Sequence, residues 1–97
     1  MLTVRLREEA EQDLVDAASC YESQHPGLGH DFLDEVLSTF MSISEQPSLY
    51  PTVHRNTPRV LMPRFPFGIY YRIERAYVAI VAVMHGSRHP RRWQDRT

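Results

Sequence analysis

The sequence predicts an α+β domain with the order β-α-α-β-β-β: an N-terminal strand, a helical hairpin, then an antiparallel β-meander, all forming one sheet over residues 1–97. Three observations lead there. The hydrophobic period switches from two to between three and four after Leu6. The helical pattern is cut once, at His25-Pro26-Gly27. The C-terminal half then carries two apolar runs, FGIYYRIE and YVAIVAVM, separated only by Arg75 and Ala76.

Leu2, Val4 and Leu6 alternate with Thr3, Arg5 and Arg7, the pattern of a short half-buried strand. From Glu8 onward Ala10, Leu14, Ala17, Ala18 and Tyr21 recur at helical spacing, with acids on the other face and Glu8 and Glu9 in the first turn, where the helix dipole favours them. Cys20 falls inside this pattern and reads as a small packing residue. Proline disfavours helix in the residue before it, so the helix ends near His25. A second helix begins near Gly29 to Asp31, Asp31 being placed to cap it or to sit at its positive end. Its broad stripe of Phe32, Leu33, Val36, Leu37, Phe40 and Ile43 is expected to face both the first helix and the sheet; Pro47 follows its end. The short connection makes the two helices antiparallel.

Residues 47 to 58, with three prolines, read as an ordered crossover loop anchored by Leu49, Tyr50 and Val53. Arg59 to Phe65 reads as a strand whose Pro63 lacks a backbone donor and so belongs at an edge or a bulge. In the next strand Ile69, Tyr71 and Ile73 face one way and Tyr70, Arg72 and Glu74 the other. Tyr77 to Met84 is apolar on both faces, the mark of a central strand covered on both sides. The helices cover one face; the chain's own tail or a partner covers the second.

Residues 1–50 hold ten acidic residues against Arg5 and Arg7, a balance of −8. Residues 51–97 hold nine arginines against Glu74 and Asp95, a balance of +7. Such a split suits a polyanion or an acidic partner for the basic half; packing of the two halves against each other explains it equally. There is no lysine, so every cation is a permanently charged planar fork suited to phosphate or carboxylate, and lysine is excluded as a general base. One cysteine excludes an internal disulfide. No apolar run approaches the roughly 20 residues of a membrane span, and the start turns acidic too soon for a signal peptide, so a cytoplasmic protein with no membrane partner is expected.

Two groups of residues carry candidate chemistry. Arg64, Arg72 and His85 are expected on one face of the meander, where guanidinium groups would cradle a backbone phosphate and stabilise charge developing at a scissile one. The alternative is a solvated sheet face. His85 stands where a strand empties into a basic loop; it suits acid-base work in phosphodiester cleavage through an RNA 2′-hydroxyl, or equally a capping role bonded to a nearby carbonyl. Arg88 and Arg91 extend the basic surface, and Tyr70 suits stacking on a base or ordinary packing. Trp93 among Arg91, Arg92 and Arg96 reads as an anchor that folds the C-terminal tail back on the domain. His85 and His89 form an H-x3-H pair off any helix and without a suitable third ligand, so no metal and no cofactor are expected.

Four stretches in register, Tyr21-Glu22-Ser23-Gln24-His25-Pro26-Gly27-Leu28-Gly29-His30-Asp31-Phe32-Leu33, Pro47 with Tyr50-Pro51, Arg64-Phe65-Pro66-Phe67-Gly68-Ile69-Tyr70-Tyr71, and Ala82-Val83-Met84-His85-Gly86-Ser87-Arg88-His89-Pro90 with Trp93 and Arg96, resemble the RelE/ParE superfamily of bacterial type II toxins. The resemblance covers nearly the whole chain, and its last two stretches are closest to plasmid stabilisation proteins. It implies a strand, a helical hairpin and an antiparallel sheet, together with a cognate antitoxin from the neighbouring gene lying over the sheet and basic surface. It also implies one of two targets. RelE-like members cut messenger RNA on the ribosome, and Arg64 and His85 are similar by position to residues used by some of them; on that reading these two are catalytic, while Arg72, Arg88, Tyr70 and Arg91 hold phosphates. ParE-like members inhibit DNA gyrase without nuclease activity. A chain that only binds its antitoxin is the third reading. Of these, ribosome-dependent cleavage is the expected activity, although the lysines of many such nucleases are missing and Gly86 stands after His85 where some members have tyrosine.

Overall fold

The computed structural model describes all 97 residues. Strand β1 (Thr3–Leu6) leads into helices α1 (Glu8–Gln24) and α2 (Leu28–Glu45), then strands β2 (Thr52–His54), β3 (Thr57–Leu61), β4 (Phe67–Ile73) and β5 (Tyr77–His85), and a last turn of helix, α3 (Arg91–Gln94). The strands form one sheet in the order β1-β5-β4-β3-β2. The C-terminal strands are antiparallel as the sequence predicts, while β1 joins β5 in parallel, Thr3 opposite Tyr77 and Leu6 opposite Ile80. No helix is long and apolar enough to cross a membrane.

The helical hairpin packs on one face of the sheet. Ala10 and Ala17 of α1 and Phe32, Val36, Phe40 and Ile43 of α2 meet Val60, Ile69, Tyr71, Val78, Ile80 and Val83 in a single core. The small alanines let α1 lie close to the sheet, while the large side chains of α2 fill the remaining space. Tyr71 is fully buried there and donates its hydroxyl to the Pro47 carbonyl; burial, with Tyr50 beside it, pushes its phenol up to about 12. The two helices cross tightly at Gly29, where a Cβ would lie 2.5 Å from the Ala18 carbonyl oxygen. No side chain at the start of α2 caps it. The Glu22 carboxylate reaches over from α1 instead and accepts the Gly27 and Gly29 amides at 3.0 and 3.1 Å, so Asp31 contributes only its charge in the first turn.

The other face of β5 carries Val81, Ala82 and Met84, and Trp93 folds over them to stack on Tyr70 with ring centroids 4.2 Å apart. The tail therefore covers the second face of the apolar strand. A bulge at Tyr70/Tyr71 leaves Val81 as the extra residue of β5.

Several sequence expectations change. The 47–58 stretch is not all loop: β2 and β3 form a hairpin whose two turn residues, Arg55 and Asn56, both have positive φ, as a right-twisted two-residue turn requires. Without an Asn-Gly pair, that turn has no strong sequence signal. Leu49 is exposed, leaving Tyr50 and Val53 as the partly buried anchors. β3 ends at Leu61, so Pro63 and Arg64 stand in the loop after it. Cys20 is exposed. Leu33 and Leu37 of α2 face solvent, because the core needs only the Phe32, Val36, Phe40, Ile43 side of that helix.

Candidate functional site

The residues singled out in sequence do not meet at one point. Arg64 lies on the helix side, where its Nε donates to Glu35 Oε2 at 2.6 Å and its backbone amide donates to Oε1 at 2.8 Å. Glu35 is a nearly buried acid on α2. Burial alone would raise its carboxyl, but the two Arg64 hydrogen bonds and the guanidinium charge outweigh that and hold it below the usual carboxylate range. This pair pins the loop between β3 and β4 to α2. Arg72 points to the opposite face, its guanidinium beside Glu74 and 3.5 Å from the Thr97 carbonyl in the tail. Tyr70 is nearly buried under Trp93 and presents no ring face to solvent for a base. The expected common face for Arg64, Arg72 and His85 is therefore absent: a strand alternates its side chains, and Arg64 lies beyond the end of its strand.

His85 ends β5 on the helix side. Its ring packs edge-on to Phe67, with centroids 5.4 Å apart, and its Nδ1 accepts the Ser87 amide at 3.0 Å with the Ser87 hydroxyl at 2.8 Å. That contact shapes the basic turn, which Arg88 closes by donating its amide to the His85 carbonyl at 3.0 Å. Between Arg64 and His85 stand the rings of Phe65, Tyr21 and Phe67, a packed aromatic cluster with centroid separations of 5.0 to 6.0 Å about Tyr21. Tyr21 has its phenol raised by burial and by the neighbouring Cys20.

What surrounds His85 is a groove of about 650 Å³ between α1 and the end of β5. Asp13, Asp16, Cys20 and Gln24 line its helical wall; His85, Ser87, Arg88 and Arg92 line the other; Tyr21, Phe67 and Val83 supply apolar surface. Neither Arg64, Arg72 nor Arg91 lines it. Arg91 opens α3 with its amide 3.2 Å from His89 Nδ1 and its side chain in solvent.

The groove exists because β1 stops early. Its pairing with β5 ends at Leu6 opposite Ile80, and the next polar groups of β5 are taken by side chains. Val83 donates to Asp13 Oδ2 at 3.0 Å, and the Val81 carbonyl accepts Arg96 Nη1 at 3.1 Å. Asp13 and Arg96 then bond each other in a two-pronged ion pair at 2.7 and 3.1 Å. Sequence reasoning missed Asp13, Arg92 and Arg96 as residues of this region, since pairings across 83 residues leave no local pattern. Walls of opposite charge and an apolar floor suit a peptide segment of mixed character. They are a poorer match for nucleic acid, because Asp16 sets a carboxylate with no cation beside it on the wall facing Arg88 and Arg92.

Residues 4–90 match the family model described as the ParE toxin of the type II toxin-antitoxin system parDE. No curated protein matches the chain. Among solved structures, the fold is similar to that of a chain from the chromosomal ParDE TA system of P. aeruginosa, with a TM-score of 0.78 at 13% identity over 88% of this chain and 96% of the other.

Proposed function

Because the chain belongs to the ParE toxin family of type II toxin-antitoxin systems, we propose that it acts by inhibiting DNA gyrase through protein contacts rather than by cutting messenger RNA on the ribosome. The observation that carries this reading is the dispersal of the would-be nuclease residues. Arg64 is engaged by Glu35 beside α2, Arg72 reaches the tail on the far face, Tyr70 lies under Trp93, and only His85 and Arg88 share a groove. Cleavage through a 2′-hydroxyl needs an acid-base pair and a charge stabiliser around one phosphate. In this arrangement Arg64 and His85 are positioning residues, the first fixing the β3–β4 loop and the second the turn that carries Arg88.

A cognate antitoxin is the partner that membership of a parDE-type module brings. We place its docking, and the competition with the target, at the groove between α1 and β5, with Arg88 and Arg92 as the positive contacts for acidic side chains. Inhibition then needs no cofactor and no bond-breaking step, only a surface that the antitoxin occludes. The test compares cells expressing the chain alone with cells also expressing the antitoxin. Relaxation of plasmid supercoils with intact messenger RNA supports the proposal; RNA cut within codons, and rescued by His85→Ala or Arg64→Ala, contradicts it.

A further inference from the structure

The last residues of β5 form a sheet edge that no strand of the chain pairs, since β1 stops opposite Ile80. Gly86 donates its amide to the Pro66 carbonyl at 2.7 Å, so the alternation of the antiparallel ladder turns the backbone groups of Met84 toward Gly68 of β4 and those of Val83 and His85 away from it. Phe67, opposite His85, accordingly engages Phe65 and Met62 with its own amide and carbonyl. The amides and carbonyls of Val83 and His85 therefore point into the groove between α1 and β5. Two of these groups have partners inside the chain: Asp13 accepts the Val83 amide, and the His85 carbonyl accepts the Arg88 amide. The Val83 carbonyl and the His85 amide have none.

The Val83 carbonyl is not an ordinary exposed edge group. Val83 is 2% exposed and belongs to the core, so solvent barely reaches its backbone, and a buried carbonyl ordinarily finds a donor. The spacing of the two open groups is specific as well: an acceptor on Val83 and a donor on His85, with Met84 between. In a parallel ladder, one residue of the neighbouring strand donates its amide to the first and accepts from the second. An antiparallel neighbour would set residues opposite Val83 and His85 that each exchange both bonds, and Asp13 and Arg88 already hold half of those. β1, on the same line along β5, is itself parallel.

We propose that the antitoxin anchors in this groove through one residue in extended conformation, running parallel to β5 in register with Met84, its amide donating to the Val83 carbonyl and its carbonyl accepting the His85 amide. This anchor rests on the docking of the antitoxin between α1 and β5 and names the backbone contact that holds it there. An extended segment fits where a helix does not, because a helix closes its backbone bonds within itself and would leave both open groups without a partner. The window admits one such residue: the Asp13–Arg96 pair closes it before Val83, and the Ser87–Arg88 turn closes it after His85. The side chains on either side of the anchor residue turn to the helix side with Val83 and His85, over the apolar floor of Ala17, Tyr21 and Phe67. Because the segment runs with β5, it leaves past the turn that carries Arg88, which places its acidic contacts after the anchor residue.

The experiment is nuclear magnetic resonance of the full chain, alone and in its complex with the antitoxin encoded by the neighbouring gene, both chains isotope-labelled. Couplings across hydrogen bonds are read from the His85 amide nitrogen to a partner carbonyl, and from a partner amide to the Val83 carbonyl. Both are expected, and both lead to a single partner residue. Exchange of the His85 amide is expected to slow at least about tenfold in the complex. Affinity of the Arg88→Glu, Arg92→Glu double variant for the antitoxin tests the docking separately. If that variant loses the antitoxin and neither coupling is found in the parent complex, docking in the groove stands and the anchor is overturned. Couplings to two partner residues two apart mark an antiparallel strand and overturn it as well. If the double variant binds like the parent and the His85 amide is unchanged, the docking falls and the anchor with it.

Discussion

Asp13 and Arg96, 83 residues apart, meet in a two-pronged ion pair that does the work of a missing strand. Where β1 ends, their side chains satisfy the Val83 amide and the Val81 carbonyl, and Arg7 Nη1 holds the Arg96 carbonyl at 2.9 Å. The acidic and basic halves of the sequence are joined here by one pair, which is part of the meaning of the split charge. Asp13→Ala strands both a backbone donor and a guanidinium, each mostly out of solvent, and is expected to destabilise the fold by about 2–3 kcal/mol. Urea unfolding checks this, and the double variant Asp13→Ala with Arg96→Ala is expected to lose less than the sum of the singles.

The Glu35–Arg64 pair makes a prediction with a sign in pH. Glu35 has its folded-state carboxyl depressed, so the stability it contributes is present above the ordinary carboxylate range and is lost as the pH falls through the folded value. Glu35→Gln should therefore unfold more easily than the parent at neutral pH, by about 1–2 kcal/mol, and the gap should close on acidification below about pH 4. Unfolding of both proteins across that range measures it; a constant gap contradicts the assignment.

Trp93 is the only tryptophan and reports on the tail directly. Trp93→Ala uncovers Val81 and Met84 and removes the stack on Tyr70, an expected loss of about 3 kcal/mol, while Trp93→Phe keeps most of the stability. In the parent, its fluorescence should be blue-shifted and poorly quenched by acrylamide.

Gly29 tests the crossing of the helices. A methyl group there would press on the Ala18 carbonyl at 2.5 Å, so Gly29→Ala is expected to destabilise by about 1–3 kcal/mol although alanine is the better helix former. An increase in thermal midpoint would show that the crossing is looser than described.

Much of the fold was legible because it rests on local periodicity. The switch after Leu6, the break at His25-Pro26-Gly27 and the Arg75-Ala76 turn each mark a real boundary. The β2–β3 hairpin was hidden by its prolines and by a turn of Arg55 and Asn56, and the parallel pairing of β1 with β5 lies outside any local signal. The candidate site was less legible than the fold. Arginine count and order suggest a shared cradle, but which face each one takes depends on Arg64 lying past the end of β3 and Arg72 lying on the face of β4 opposite the buried Ile69 and Tyr71. Glu22, Glu35 and Asp13 looked like solvated helix acids; each instead caps, pins or clamps a distant segment, and only the three-dimensional structure brings those partners together.

The proposed inhibition of gyrase is tested most directly by supercoiling of relaxed plasmid by purified gyrase with the chain added. Loss of supercoiling that is reversed by the antitoxin, weakened by Arg88→Glu with Arg92→Glu and retained in His85→Asn, whose Oδ1 can still accept the Ser87 amide, is the predicted result. Undiminished supercoiling, together with messenger RNA cut on translating ribosomes by the same preparation, would contradict it.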